Sequence, residues 1–318
     1  MRLKRNLLIL FLLLCVAVIF GLLKGAVNIS VTSLLFKDNQ AIFNLRLLRI
    51  VAGILVGSGL AVSGIALQAI LRNSLAEPYL LGTSSGAGLA AVSAAILGVS
   101  RIYMPLAAFL GAAISIIIVY NLAREKGVIA DKSLILSGVI ISVAFSSLIV
   151  FLVSLFGNEA MHEMNWWLWG NLQVYDYKLL LLVAFPVILG ICVIYLFAQD
   201  LNAISIGEEE AVHLGIDTQN LKKILILVTA LITASLICIC GIIGFVGLIV
   251  PHMMRLIVGP NHKILIPTTC LAASVFIIFC DLLSRTLFSP VEIPIGVITA
   301  IIGAPVFIIL LKKGKRIL

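Results

Sequence analysis

The sequence predicts an all-α protein that crosses a membrane many times. Of its 318 residues, 62% are hydrophobic and only 11% are charged, and the mean hydropathy is +1.23. A soluble domain is about half apolar and about a quarter charged, so a soluble fold of this length could not bury so much apolar surface. The apolar residues also fall in long uncharged runs, each typical of a membrane-spanning helix. Secreted disulfide scaffolds, nucleic-acid-binding domains and ordinary cytosolic enzymes are thereby excluded.

Nine runs free of Asp, Glu, Lys and Arg define the predicted spans. The runs are residues 6–23, 50–71, 78–100, 102–123, 133–158, 179–199, 224–254, 264–280 and 293–311. Run 224–254 has 31 residues, whereas one helix needs only about 20 to cross the bilayer. Glycines within 241–247 interrupt it before Pro251, so we interpret it as two spans. The second is short and ends near Gly259–Pro260, which brings the total to ten.

The basic residues predict the orientation of these spans. Both termini, MRLKR and KKGKR, are basic and are predicted to be cytoplasmic, which requires an even number of crossings. With ten spans, the cytoplasmic segments contain 15 of the 22 Lys and Arg residues. The other seven, on the outside, are Lys24, Lys37, Arg46, Arg49, Arg101, Lys178 and Arg285. The net charge of +8 therefore reflects the positive-inside bias of a cell-membrane protein rather than a nucleic-acid-binding surface.

Two further patterns bear on helix packing. GILVG at 53–57 and GTSSG at 82–86 are GxxxG motifs, which allow helix backbones to approach closely. Segments 72–86 and 241–252 interrupt the helical pattern near membrane depth, where irregular backbone is tolerated only against protein or water. We therefore expect these two segments to line a pathway or a docking surface.

The sequence carries no catalytic or coupling motif of its own. It contains no GxxxxGK[ST] loop and no HExxH, and its six cysteines all lie in apolar runs, so we predict no catalytic residues, metal site or cofactor. Only Asp281 approaches a mid-membrane position, near the outer end of the ninth span, and the i, i+4 spacing favours a pair with Arg285. An ion-coupled carrier would need acidic residues in mid-membrane, and an intramembrane enzyme would need clustered nucleophiles. A transporter of this composition must obtain its energy from a partner.

One predicted cytoplasmic segment is suited to such a partner. Residues 201–223 contain three consecutive glutamates at 208–210, a short apolar-periodic stretch and Gly215. An amphipathic helix that ends at a glycine cap offers a docking surface for a soluble protein. The alternative is that the three glutamates are simply a solvated face.

Six motifs in order, across residues 27–311, resemble the permease subunits of ABC importers for iron chelates (siderophores and haem) and cobalamin. The motifs are LRLLRIVAGILVGSGLAVSG at 45–64, LRNSLAEPYLLGTSSGAG at 71–88, WWLWGNL at 166–172, LNAISIGEEEAVHLGI at 201–216, GFVGLIVPHMMRLIVGPNHKILIP at 244–267, and DLLSRTLFSPVEIPIGVITAIIGAPVF at 281–307. The resemblance implies a type II ABC importer permease fold, with 1–318 as a single transmembrane domain and no enzymatic activity of its own. It also implies a second permease copy, in a homodimer or close heterodimer, two cytoplasmic ATP-binding subunits and an extracytoplasmic substrate-binding protein.

The resemblance also implies roles for the arginines predicted to lie outside. Arg46 and Arg49 in LRLLR, with Arg285 in LSRTLF, match arginines that receive acidic residues of the binding protein. Leu48 stands where that motif usually has proline, which is expected to alter the local turn. The alternative is that these side chains snorkel to the membrane interface.

On the cytoplasmic side, the resemblance implies an element that couples the permease to the ATPase. The residues that match it are Glu209, Glu210, Ala211 and Gly215. Pro251 and His252 match a cytoplasmic turn at the inner end of the eighth span. The stretch GVIADKS at 127–133 falls where relatives have the inner gate but lacks a pair of small hydroxyl residues, so gate residues stay unassigned.

The substrate is less well determined. Trp166, Trp167 and Trp169 form an outer cluster that is more typical of an interfacial aromatic belt than of a substrate site. Ferric siderophores are the expected cargo, with haem and cobalamin as alternatives and an ion-coupled carrier as the alternative mechanism.

Overall fold

The computed structural model describes residues 2–25, 40–125, 128–156 and 168–314. Within these ranges the chain forms α-helices joined by short connections. The first six are α1 (Arg2–Leu23), α2 (Gln40–Ile70), α3 (Thr83–Ile96), α4 (Met104–Ala123), α5 (Asp131–Phe156) and α6 (Tyr177–Leu196). The next six are α7 (Ala198–Ile206), α8 (Glu208–His213), α9 (Thr218–Cys240), α10 (Val246–Val258), α11 (His262–Thr286) and α12 (Ile295–Gly314). Strands β1 (Arg124–Glu125) and β2 (Val128–Ile129) pair antiparallel between α4 and α5, and short 3₁₀ turns precede α3 and α4.

The predicted set of spans is confirmed. Seven described helices are long and apolar enough to cross a membrane, and three shorter apolar helices, α3, α10 and α12, account for the remaining predicted spans. The long run at 224–254 divides as expected, because α9 ends at Cys240 and α10 begins at Val246. Gly241, with φ of +67°, adopts a conformation that side chains rarely allow and so permits this break.

Helix α2 forms the centre of the bundle. It has 31 residues, most of them buried, and packs against α6, α9, α10 and α11. It begins at Gln40, ten residues before the predicted start, so Arg46 and Arg49 belong to the helix rather than to a preceding turn. Leu48 is compatible with this continuous helix, whereas a proline there would remove a backbone hydrogen bond.

Glycines set the distance between α2 and its neighbours. A Cβ atom built on Gly57 would lie 2.5 Å from the carbonyl oxygen of Ala273 in α11, and one on Gly64 would overlap the carbonyl oxygen of Gly247 in α10. Gly86 makes the same kind of contact with the backbone of α4. The expected close approach of helices at the glycine motifs is therefore confirmed.

The two irregular segments pack against each other. The Tyr79 hydroxyl donates to the Ile243 carbonyl over 3.2 Å, and Gln68 Nε2 donates to the carbonyls of Ala76 at 3.1 Å and Gly247 at 3.2 Å. These hydrogen bonds satisfy backbone carbonyl groups that have no helical partner. A backbone polar group left without a partner in an apolar environment would lower the stability of the fold. Both segments therefore pack against protein, and their lining of a pathway or a docking surface stays a prediction.

The predicted turn at Pro251 and His252 is wrong. Both residues lie inside α10, which continues to Val258, and the Gly259 N–H then bonds the Arg255 carbonyl. Pro251 is the sixth residue of the helix, so its missing N–H leaves the Gly247 carbonyl without its helical donor. Gln68 Nε2 donates to that carbonyl over 3.2 Å instead. The chain instead breaks before this helix, between Gly241 and Phe245.

The Gly64 contact generates a prediction. We expect Gly64→Ala to lower the free energy of unfolding by at least about 1–3 kcal/mol, because the Cβ atom of the alanine would force α2 away from α10. Unfolding in mixed detergent micelles would measure the change. Gly244→Ala is the matched control, since a Cβ there meets no atom within 4 Å. Equal stability of the two variants would contradict the proposed packing.

Candidate functional site

Charged side chains gather at the two ends of α2. The arginine cluster comprises Arg46, Arg49, Asp281, Arg285 and Glu292, and the lysine cluster comprises Arg72, Asp131, Glu208 and Lys222. With a rise of about 1.5 Å per residue, Arg49 and Arg72, one in each cluster, lie about 35 Å apart along the axis of α2, slightly more than the hydrocarbon thickness of a bilayer. The clusters therefore lie where a membrane would leave charged groups in contact with its two surfaces.

Arg49 is the centre of the arginine cluster. Its guanidinium contacts Asp281 Oδ1 at 3.1 Å and Glu292 Oε2 at 3.0 Å. Asp281 also pairs with Arg285, Oδ2 to Nε, at 2.9 Å, which confirms the predicted i, i+4 pair. Gln173 Nε2 donates to Glu292 over 2.7 Å, so the cluster joins α2, α11, the α11–α12 connection and the segment before α6. A fork-shaped guanidinium suits this role because it can bond two carboxylates at once.

Arg46 and Arg285 also cap the end of α1. Arg46 Nη1 donates to the Leu22 carbonyl over 2.7 Å, and Arg285 donates to the carbonyls of Gly21 at 3.4 Å and Lys24 at 3.3 Å. The last carbonyls of a helix have no partner within it and carry partial negative charge, so cationic donors stabilise them.

The three arginines are thus more enclosed than surface docking residues usually are. Arg46 is 6% exposed and Arg285 is 3% exposed. Among the described residues, the cluster contains three cations and two carboxylates. A cavity of about 250 Å³ beside it is lined by Arg49, Gln173 and Glu292, among others. Within this cavity the Arg49 guanidinium is already paired with the Glu292 carboxylate.

The predicted coupling element is helix α8. Its first turn holds all three glutamates, where negative charge stabilises the helix N-terminus. It ends in a Schellman motif, because the Ile216 N–H bonds the Ala211 carbonyl at 3.1 Å and the Gly215 N–H bonds the Val212 carbonyl at 2.9 Å. Gly215 has φ of +82°, as this cap requires.

The matched coupling residues separate into two groups. Ala211 is fully buried and Gly215 ends the helix, so both position α8 rather than present a side chain. Glu209 and Glu210 are exposed. Three apolar side chains around them are also exposed, by 77% at Ile206, 55% at Val212 and 71% at Leu214. An apolar patch with an acidic edge is typical of a protein-binding surface.

Glu208 faces the protein instead. It accepts hydrogen bonds from Thr218 at 3.2 Å and Gln219 at 3.1 Å, and it pairs with Lys222 at 2.7 Å. Partial burial alone would raise the pKa of Glu208, but the hydrogen bond and charge of Lys222 outweigh it and hold the pKa below its usual value. Glu208 therefore stays ionised and anchors α8 to α9.

Several participants were missed by sequence reasoning. Glu292 was assigned no role, Lys222 was counted only among the cytoplasmic basic residues, and Glu208 was grouped with the other two glutamates of the predicted docking segment. Partners distant in sequence leave no spacing signal. Glu77 was also missed, although it lies close to the backbone of Phe245, at the start of α10. The only signal was that it is the single acidic residue in the irregular segment 72–86.

The predicted tryptophan cluster is only partly described. Trp166 and Trp167 lie outside the described residues, whereas Trp169 is 49% exposed. The carbonyl of Trp169 accepts the Gly296 N–H at 3.1 Å, so its backbone holds the start of α12.

The arginine cluster generates a second prediction. We expect Arg49→Met to lower the free energy of unfolding by about 3 kcal/mol, because Asp281 and Glu292 each lose a close cationic partner. The same detergent unfolding assay would measure this change. Arg124→Met, at an exposed arginine, should change stability by no more than about 0.5 kcal/mol. An Arg49→Met variant as stable as this control would contradict the pairing.

Comparisons with known proteins agree with this geometry. The FecCD transport family matches residues 11–313. The chain is 40% identical over 275 residues to the cobalamin import system permease protein BtuC of Halobacterium salinarum, covering 85% of this chain and 73% of that protein. It is 36% identical over 331 residues to the Fe(3+)-citrate import system permease protein YfmE of Bacillus subtilis, covering 98% and 97%.

Solved structures show the same architecture. An inward-facing metal-chelate type ABC transporter matches with a TM-score of 0.88 and 32% identity, covering 98% of this chain and 99% of that one. PsaBC from Streptococcus pneumoniae shares the fold alone, with a TM-score of 0.55 and 16% identity. The ten apolar helices, the family match along almost the whole length and the full-length structural match lead to one conclusion. The chain belongs to the FecCD transport family and is a multi-pass membrane permease of the ABC importer class.

Proposed function

We propose that this permease takes up an iron chelate, a ferric siderophore, with energy from ATP hydrolysed by separate cytoplasmic subunits. The observation that carries the proposal is helix α8, which is anchored on one side by Glu208 and presents an exposed apolar patch with Glu209 and Glu210 on the other. A soluble partner protein that binds this surface could displace the helix. The described helices hold no nucleotide-binding motif, so ATP must be hydrolysed elsewhere.

The arginine cluster is proposed as the docking face for a substrate-binding protein. Its three guanidinium groups, with the cavity of about 250 Å³ beside Arg49, are suited to acidic side chains from a partner. In this arrangement Arg49 is positioned by Asp281 and Glu292, while Arg46 and Arg285 hold α1 in place. The lysine cluster, at the opposite end of α2, would then be cytoplasmic, as would both termini.

The pathway is proposed to run between two copies of the chain. Helix α5 supports this arrangement, because none of the residues in its most apolar 18-residue window is buried in the single chain. Ser147 and Ser154 lie seven residues apart on α5 and are exposed. A helix that is apolar, unburied and interrupted by hydroxyl groups suits an interface that also contacts a polar cargo.

The cargo is proposed by chemical class. The relatives named for Fe(3+)-citrate and cobalamin both import a metal held in an organic chelator, and the solved relative is of the metal-chelate type. A ferric chelate is favoured because the Fe(3+)-citrate permease is 36% identical over 98% of this chain, whereas the vitamin B12 permease of Vibrio vulnificus, which matches the same share, is 33% identical. Cobalamin is the second candidate, since the cobalamin permease has the higher identity, 40%.

Reconstitution tests the proposal. The permease, its ATP-binding subunits and its binding protein would be assembled in proteoliposomes and supplied with radiolabelled ferric hydroxamate siderophore, ferric citrate, haem or cobalamin. We expect ATP-dependent accumulation of the ferric siderophore. Uptake should cease without ATP, without the ATP-binding subunits or without the binding protein.

Each alternative has its own outcome. ATP-dependent uptake of cobalamin or haem alone would replace the proposed cargo and keep the mechanism. Uptake by the permease alone, driven by a proton or sodium gradient, would refute the ABC mechanism and favour a secondary carrier.

The coupling surface gives a further prediction. We expect Glu210→Ala to weaken binding of the ATP-binding subunits at least about fivefold, since an interface contact of about 1 kcal/mol is lost. Binding to nanodisc-embedded permease would measure the affinity. Asp200→Ala, in α7, is the control for loss of one acidic charge nearby. Unchanged affinity and transport in Glu210→Ala would argue against this surface.

A further inference from the structure

A buried lysine lies between the proposed coupling helix and helix α5. Lys222 Nζ is 2.7 Å from Asp131 Oδ1 and 2.7 Å from Glu208 Oε2, and the residue is only 2% exposed. Asp131 is the first residue of α5, and Glu208 is the first residue of α8. One ammonium group therefore joins the starts of two helices that are separated by more than 70 residues of sequence.

The charges of the lysine cluster balance. Arg72 lies 3.4 Å from Asp131, so two cations face two carboxylates. A buried ammonium is tolerated only while it is paired, because water no longer solvates it. Movement of either carboxylate away from Lys222 would leave an uncompensated charge, so a displacement of one helix favours a matching displacement of the other.

A second set of contacts, made by the uncharged side chain of Gln219, connects the same helices beside the ion pairs of Lys222. Gln219 Nε2 donates to Glu208 Oε1 at 3.1 Å, and its Oε1 accepts the Ile129 N–H at 2.9 Å. Ile129 lies in β2, just before α5. Both sets of contacts pass through the first two turns of α9, which connects α8 to the start of α5.

Helix α5 is held by close contacts near its first turns and is open along the rest of its length. Leu134 is buried, Ser137 donates to the Val119 carbonyl of α4 over 3.3 Å, and a Cβ atom on Gly138 would overlap the carbonyl oxygen of Leu80. The most apolar window of the helix is unburied. A shift at the first turn of α5 therefore moves the helix together with the turn at Leu80 that precedes α3.

We propose that Lys222 is a positioning residue that transmits movement of α8 to the first turn of α5. This inference rests on the proposed function, because it takes α8 as the surface that the ATP-binding subunits displace. When nucleotide binding moves α8, Glu208 moves with it, and Lys222 and Asp131 follow. The start of α5, beside the pathway between the two copies, then changes position.

The test follows this movement directly. Spin labels would be attached at Leu136→Cys, an exposed α5 position, in the complete complex with its native cysteines replaced by alanine. Double electron–electron resonance would measure the distance between the labels of the two copies with and without ATP. In the parent protein we expect ATP to shift this distance. In Lys222→Met we expect ATP hydrolysis to continue while the shift is lost and ATP-driven transport falls about tenfold, a typical size for a lost coupling.

Two controls separate transmission from a general loss of charge. Lys223→Met removes the adjacent lysine, which is exposed, and should retain the shift. Lys222→Arg keeps a cation that can bond both carboxylates and should restore most of it. A triple variant, Lys222→Met with Asp131→Asn and Glu208→Gln, has no unpaired buried charge and remains informative if Lys222→Met fails to fold. It should also lose the shift.

The outcomes distinguish this inference from the proposed function. A normal ATP-dependent shift in Lys222→Met, or in the triple variant, would overturn the role of Lys222 and leave the ABC mechanism intact. A parent complex that neither binds ATP-binding subunits nor changes the label distance would refute the proposed function itself. Loss of the shift in Lys223→Met as strongly as in Lys222→Met would also overturn the specific role of Lys222.

Discussion

The structure depends on the rule that a charge removed from water must be paired. The described helices are strongly apolar, and the ion pairs among the described residues fall into two clusters, one towards each end of α2. Arg49 pairs with Asp281 and Glu292 in the first cluster, and Lys222 pairs with Asp131 and Glu208 in the second. Helix α2 connects the two clusters. Its length therefore sets the distance between them across the membrane, and with it the positions of both proposed partner surfaces.

Between these ends, close backbone contacts hold the helices. Gly57 and Gly64 place α2 directly against α11 and α10, and any side chain at either position would separate them. Such contacts favour rigid-body movement, because they resist gradual deformation. Helix α5 makes a contact of this kind at Gly138, against the Leu80 carbonyl, while its most apolar window is unburied, so it is held near its first turns and open along the rest of its length.

The sequence predicted the spans well and the sites only in part. The hydrocarbon core of a bilayer requires each spanning helix to have about 20 uncharged residues. The ten apolar segments, and the break near Gly241, could therefore be predicted from the sequence alone. The start of α2 was misplaced because arginines were assumed to end the helix, whereas Arg49 is tolerated within it by its two carboxylates. Pro251 was assigned to a turn because proline disrupts most helices, yet it lies near the start of α10, where it is accommodated.

What the sequence determined by itself was the class of protein, the number of spans and the motifs of an ABC importer permease, since each depends on local composition and order. Only the tertiary structure decided which charged groups meet. Glu208, Glu209 and Glu210 are consecutive and chemically identical, but the first bonds Lys222 while the other two face solvent, because the helix turns them in different directions. Partners such as Lys222 and Asp131 lie 91 residues apart, and no local pattern can reveal a contact that folding alone creates.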